Sequence, residues 1–447
     1  MRLRVLSAED THRIHRAALR ILREVGMHVM DEDTRKTLLK AGCTESEPGN
    51  ILFPEKLVER TISTIPYRFI LFDRNGKICI DTADEEPNFG PGLNCIYVLD
   101  HRTGEHREYL LEDVREAVKV CEKLQNLDMA SGLGNPVDVS PDRQALETVK
   151  ALVDGTSKPF PFIAHDERED EKIWEYLAGV AGSWNKLADK PFALDLTGPY
   201  SPLELGVEAC RRLKFASRRG LPVVCYPAFL PGATGPVTLD GAIAQSSAEI
   251  LAGLVVHQLE CPGSPVITGS SVIPMDLQTG MIAYGSPEYV LAGMGAADYF
   301  SDLGVPTWIG AGCSDSHIPD AQAASEAGMN IFAASMCRTS FIHNLGFLSG
   351  GKTGSLEMLV LCDEIAGALK RIKRGIAVSE ETIGVDVVKR AVKERSFIVD
   401  LHTLTHMREA MRASPLFKRI SIENWKEEGA KSTRNKIKEI LASLISS

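Results

Sequence analysis

From Glu112 onward the chain alternates short apolar runs with helical stretches of roughly 12 to 20 residues, the rhythm of a parallel sheet whose strands are joined by crossover helices. Seven runs read as strands: Leu127 to Leu133, Pro161 to Ala164, Phe192 to Leu196, Pro222 to Tyr226, Pro265 to Gly269, Pro306 to Gly310 and Phe341 to Leu345. An eighth is expected near Phe397 to Leu401. The runs end in polar or aromatic residues: Asn135, His165 and Asp166, Thr197 and Tyr200, Tyr226, Ser270 and Ser271, Asp315 and His317, His343 and Asn344. That recurrence predicts an α/β protein built as a (β/α)8 TIM barrel, whose chemistry sits at the C-terminal ends of its strands.

Length agrees with this reading. At 447 residues the chain holds a barrel of ~250 residues plus extensions. Residues 1–110 read as an N-terminal extension. Ile14, Ala18, Ile21 and Leu22 share one helical face, and Arg74-Asn75-Gly76-Lys77 makes a hairpin turn between short strands. Residues 111–447 read as the barrel domain with C-terminal helices.

Fifty basic and 60 acidic residues leave a formal charge of −10 without a basic tract, which argues against a nucleic-acid partner. The start carries no apolar signal region and no apolar run approaches ~18 residues, so the expectation is a cytoplasmic protein with no membrane segment. Ten cysteines are scattered without a Cys-x-x-Cys pair, the pattern of reduced, buried thiols.

Three motifs invite specific chemistry. Gly346 to Thr353 satisfies the phosphate-loop pattern of two glycines followed by Lys352 and Thr353, between a strand and a helix. It falls in the seventh unit with fewer than 100 residues after it, so it reads better as the turn leaving the seventh strand. His257 with Cys261, and Cys313 with Asp315 and His317, have spacings worth testing for zinc. His257 sits in a helix rich in Leu and Val and reads as structural, and no tightly bound metal is expected. Asp315 and His317 are placed by a strand end, with the alternative that Asp315 or Ser316 caps a helix starting at Pro319. Aromatic residues make up only 6% of the chain, so Phe89, Tyr97, Tyr200, Tyr226, Phe229, Tyr284, Trp308 and Phe347 are candidates for a cage around an onium group.

Longer motifs carry a resemblance. Phe89-Gly-Pro-Gly92 with Val98-Leu-Asp100 and Thr103-Gly-Glu105, Gly155-Thr-Ser-Lys-Pro159, Pro199-Tyr-Ser-Pro-Leu203, Gly232 to Leu239, Gly241 to Gln245, Ala248 to Gly253, Gly285-Ser-Pro-Glu288, Ser314-Asp-Ser-His317 with Pro319 to Ala323, and Asp363-Glu-Ile365 are similar to the trimethylamine methyltransferase family from about Leu6 to Trp425. The resemblance implies a (β/α)8-barrel enzyme that moves a methyl group from an N-methylated amine to the Co(I) cobalamin of a cognate corrinoid protein. The founding trimethylamine enzymes carry pyrrolysine, which this sequence lacks, so it looks like the non-pyrrolysine branch, whose characterised members demethylate quaternary amines such as glycine betaine. Lys352 departs from the apolar residue such a member is expected to carry there.

A quaternary ammonium already has a neutral tertiary amine as its leaving group, so displacement needs no proton donor and no Lewis acid. The protein has to position one N-methyl and hold a cation without solvating it. Asp315 and His343 are therefore the candidate catalytic residues, and Asn94, Tyr97, Tyr226, Phe229, His317 and Phe347 the candidate substrate-binding residues, with His343 a partner for a betaine carboxylate. A homo-oligomer is expected. The competing readings are a zinc-dependent corrinoid methyltransferase for a thiol or methoxy substrate, and a betaine-binding protein without turnover.

Overall fold

The computed structural model describes residues 2–446 apart from Glu85 and Ser271, so the expected strand-end residue Ser271 lies outside the described residues. Seven strands form its main sheet: β1 (Asn88–Pro91), β2 (Phe160–Phe162), β3 (Ala193–Thr197), β4 (Val223–Cys225), β5 (Val266–Ser270), β6 (Thr307–Gly310) and β7 (Phe341–Leu345). Their spatial order is β1-β7-β6-β5-β4-β3-β2, and every neighbouring pair is parallel. Strands β2 to β7 are the expected runs to within two residues. They were legible because helices on one side and the sheet's curl on the other bury both faces, so each run is almost wholly apolar.

Two expectations are corrected. Leu127 to Leu133 is not a regular strand: Gly132, Gly134 and the left-handed Leu133 (φ 61°) break the extended repeat. The segment still bonds to both edges of the sheet. The amides of Asp128 and Met129 donate to the Phe89 carbonyl of β1 at 2.8 and 3.2 Å, and the Ala130 amide donates to the Pro159 carbonyl at the start of β2 at 3.0 Å. Phe397 to Leu401 does not form an eighth strand either. Asp400 accepts the His402 amide at 2.9 Å and starts the helix Leu401–Ala410, within a C-terminal run of helices. The remaining strand, β1, comes instead from before residue 110, within the stretch read as an N-terminal extension. The architecture is an α/β fold with a seven-stranded parallel sheet curled into a half-barrel.

Crossover helices follow the strands: α1 (Glu167–Ala181), α2 (Val207–Arg219), α3 (Leu239–Glu260), α4 (Pro287–Asp302), α5 (Ala321–Met336) and α6 (Leu356–Lys373). Helix α3 is, among the described residues, the one long and apolar enough to pass for a membrane span by composition, which the sequence reading overlooked. It is a core helix, apolar all round because α2, α4 and the N-terminal helices Ala8–Glu24 and Glu55–Ile62 surround it. Helix α5 is capped by Asp320, whose carboxylate accepts the Ala323 amide at 2.9 Å, so neither Asp315 nor Ser316 caps it.

The inward side chains of the strands form an apolar cluster of their own: Leu194, Leu196, Val224, Ile267, Trp308 and Phe341, with Met129 from the irregular segment. Leu71 and Ile80 belong to the same cluster. They come from the hairpin Ile70–Phe72 and Ile78–Asp81, which forms on either side of the expected turn. Phe69 beside it stacks on Phe341 at 6.4 Å, so the extension plugs one end of the curled sheet.

Candidate active site

The opposite end, where the strands' C-termini lie, holds a cavity of about 530 Å³. Its lining comes from the segment after each of several strands: Asn94 after β1, Ile163 to His165 after β2, Thr197 to Tyr200 after β3, Tyr226 and Ala228 after β4, Ile273, Ile282 and Tyr284 after β5, and His343 to Lys352 on and after β7. Its volume is within the range of small-molecule sites.

His343 forms part of the floor. It is 6% exposed, its ring lies 4.7 Å from Trp308 and 6.2 Å from Tyr226, and its Nδ1 has no hydrogen-bond partner among the described residues. Burial among these rings pushes its pKa down to about 3, so it stands neutral. Asn344 next to it is left-handed (φ 75°), and its amide donates to the Tyr289 hydroxyl at 3.0 Å. Gly310 of the adjacent strand makes room for that hydroxyl: a Cβ there would lie 1.7 Å from the Tyr289 oxygen. Tyr226 and Tyr284 turn rings toward the cavity, and burial raises both phenols well above their ordinary range, keeping them neutral.

One wall contains an ion cluster that the sequence reading did not find. Arg212 of α2 donates through Nε and Nη2 to the buried Asp195 of β3, through Nη2 to the Leu196 carbonyl at 2.8 Å, and through Nη1 to the Ala164 carbonyl at 3.2 Å. Asp170 of α1 approaches its Nε at 3.7 Å. Burial, then repulsion from Asp195, drives the Asp170 carboxyl far up, and burial also raises Asp195. Asp195 pairs directly with the guanidinium and Asp170 lies beside it, so the Arg212 charge is met within the protein.

Of the expected site residues, Asn94, Tyr226, His343 and Phe347 line the cavity. The other four do not. Phe229 is fully buried in a separate small core with Ala242, Val272 and Ala292. Tyr97 lies on the strand Tyr97–Leu99, 42% exposed, away from the lining. His317 engages Ser349 through Nδ1 at 2.9 Å. Asp315 accepts the Gly285 amide at 3.0 Å, and burial raises its carboxyl above the ordinary range. It holds in place the turn that presents Tyr284. Cys313, Asp315 and His317 thus each engage a different group, and no three His, Cys, Asp or Glu side chains converge as a metal-holding set among the described residues.

The phosphate-loop look-alike uses its own amides. Ser349 donates to the Ser316 carbonyl, Gly350 to that of Ser314, Gly351 to that of Leu348 and Lys352 to that of Ser349, over 2.9 to 3.4 Å. Donors that would cradle a phosphate are therefore engaged within the protein.

The family model for trimethylamine methyltransferase (MTTB) matches residues 1–447. The chain belongs to the trimethylamine methyltransferase family. The trimethylamine methyltransferase MttB of Desulfitobacterium hafniense (strain DSM 10664 / DCB-2) is 29% identical over 98% of this chain and 88% of its own length, and that of Methanosarcina thermophila is 30% identical over 89% and 83%. The glycine betaine methyltransferase of Desulfitobacterium hafniense (strain Y51) is 27% identical over 95% and 88%. Among solved structures, the monomethylamine methyltransferase of Methanosarcina barkeri superposes with a TM-score of 0.50 at 11% identity, covering 98% of this chain and 93% of that one, a likeness of fold. As a member of the trimethylamine methyltransferase family the protein is a methyltransferase, and enzymes of this family methylate a corrinoid protein. Two further lining residues, Tyr200 and Tyr284, were among the aromatic cage candidates but not among the expected substrate-binding residues; Tyr200 lies in Pro199-Tyr-Ser-Pro-Leu203, and Tyr284 immediately precedes Gly285-Ser-Pro-Glu288. Glu208 and Arg212 gave no signal, since basic and acidic residues on α2 look like an ordinary solvated face.

Proposed function

We propose that the protein transfers a methyl group from a quaternary amine, glycine betaine or a related betaine, to the Co(I) cobalamin of a cognate corrinoid protein. The observation that carries this reading is the lining of the cavity: four aromatic side chains, Tyr200, Tyr226, Tyr284 and Phe347, in one lining with a histidine held neutral. Ring faces attract an onium without solvating it. The name of the glycine betaine methyltransferase relative supports the same substrate class.

In this reading, segment 127–134 is the eighth stave that completes a (β/α)8 barrel, and residues 1–110 are an extension that supplies β1 and the plug. Tyr226, Tyr284 and Phe347 hold the onium, while His343 and Asn94 orient it and Asp315 fixes the Tyr284 turn. The cobalamin is a substrate carried by the partner, and it supplies the nucleophile that displaces a neutral tertiary amine. This chain offers it a rim of exposed residues, Asn94, His165 and Tyr200. Because the amine leaves neutral, no residue has to deliver a proton, which suits a floor built from neutral His343 and neutral phenols. The experiment mixes the purified protein with cob(I)alamin and a panel of quaternary amines and follows cobalamin methylation together with the tertiary amine formed. Equimolar products with a betaine are expected; no turnover with any quaternary amine rejects the reading, and turnover that requires added zinc with a thiol or methoxy compound replaces it.

A further inference from the structure

The loop that resembles a phosphate cradle has a feature the catalytic reading leaves unused, the side chain of Lys352. Its backbone is fixed: the Lys352 carbonyl accepts the amides of Ile96 and Tyr97 at 3.1 and 3.0 Å, and the next residues, Thr353–Gly354, pair with Tyr97 and Val98. Its side chain is exposed, lines the cavity, and has no ion pair or hydrogen bond to a described residue. The other charges of the lining are engaged. Arg212 is met by Asp195 and Asp170, and Glu208 accepts the Glu167 amide at 2.7 Å.

Lys352 also stands beside the aromatic pair. A Cβ on Gly351 would lie 2.7 Å from the Tyr284 ring and 3.6 Å from that of Phe347, and Gly351 is itself left-handed (φ 82°), so only glycine lets the loop lie on both rings. An uncompensated ammonium at this place repels a bare onium seated on those rings. It attracts a ligand that carries an anion next to its onium.

We propose that Lys352 is the specificity residue of this cavity: it takes the carboxylate of a zwitterionic substrate and selects betaines against quaternary amines that bear no acid. The inference rests on the proposed function and narrows it. His343, first considered for the carboxylate, is neutral and walled by aromatic rings, so it contributes a hydrogen bond rather than a charge. The selectivity arises as much from repulsion of the wrong ligand as from attraction of the right one.

The test compares wild type, Lys352→Gln and Lys352→Arg. The ligands are trimethylammonio-carboxylates with one, two or three methylenes between nitrogen and carboxylate, with tetramethylammonium as the uncharged-tail control. Binding is read by calorimetry and turnover by methylation of cob(I)alamin. Lys352→Gln is expected to raise KM and Kd for the preferred betaine about tenfold, to leave kcat within about twofold, and to leave tetramethylammonium binding unchanged or tighter; Lys352→Arg restores most of the betaine affinity. Equal betaine affinity in wild type and Lys352→Gln, or equal losses for betaine and tetramethylammonium, overturns the inference and leaves the function standing. Wild type that takes neither class of ligand overturns both.

Discussion

The loop after β6 and the loop after β7 both start from polar residues at adjacent strand ends, and the structure uses them in opposite ways. After β6, Ser314 donates to Glu326, Asp315 accepts from Gly285 and His317 engages Ser349, so the polar groups hold loops to one another. After β7, and among the described residues, His343 keeps an unpartnered Nδ1, Phe347 turns its ring to the cavity and the Lys352 side chain has no ion pair or hydrogen bond. Asp315 keeps its second oxygen unpartnered among the described residues, and Asn344 lines the cavity while bonded to Tyr289, so what separates the two loops is which of their residues face the cavity. The second loop faces ligand because the first one positions it.

The largest effect should come from the layer shared by both strands. Trp308 of β6 is 1% exposed and lies under His343 at 4.7 Å and beside Phe341 at 5.2 Å. Trp308→Ala leaves a cavity in the inner core and is expected to cost about 3–5 kcal/mol, measured by urea unfolding, with loss of turnover. A smaller cost with full activity would mean that the floor does not depend on this ring.

His343→Ala comes next. It removes the group taken to orient the substrate on an otherwise intact floor, and a misplaced donor costs on the order of a hundredfold in kcat/KM. Methylation rates at saturating cobalamin measure it; an unchanged kcat/KM in a folded variant would put the orienting group elsewhere.

Acid stability separates the buried histidines from the rest. His343 and His257 are both pushed down to about 3 by burial, well below the unfolded value of about 6.5. Between those values the unfolded chain binds more protons than the folded one. Stability is therefore complete above about pH 6.5 and falls as pH drops toward 3, by about 1.4 kcal/mol per pH unit for each histidine. His343→Phe should remove one histidine's share of that slope between pH 6 and 4. A parallel decline in wild type and variant would show that His343 is not held neutral.

The same contrast explains what the sequence disclosed. Six strands were legible because burial on both faces leaves continuous apolar runs, whereas Asn88-Phe-Gly-Pro91 has one large apolar residue and joins the sheet only through its pairing with β7. Strand-end and loop placement identified Asn94, Tyr226, His343 and Phe347, but not the orientation of each side chain. Phe229 follows Tyr226 by only three residues in the loop after β4, yet Ala242, Val272 and Ala292 close over it. Arg212 was invisible because its charge is defined by Asp170 and Asp195, which are far from one another in sequence and meet only in the fold.

The smallest effect, and the sharpest test of the two-loop contrast, is at Asp315. If its task is to hold the Gly285 amide, Asn serves as well as Asp, because a side-chain amide oxygen accepts the same hydrogen bond without carrying a charge that burial and nearby Glu326 disfavour. Asp315→Asn is therefore expected to keep turnover within about twofold and stability within about 0.5 kcal/mol of wild type. Asp315→Ala leaves the Gly285 amide without its acceptor and should cost about 1–3 kcal/mol, with a raised KM because the Tyr284 ring loses its anchor. A large loss of kcat in Asp315→Asn with the fold intact would break the contrast, since the carboxylate charge would then act on the reaction itself and the loop after β6 would belong to the chemistry.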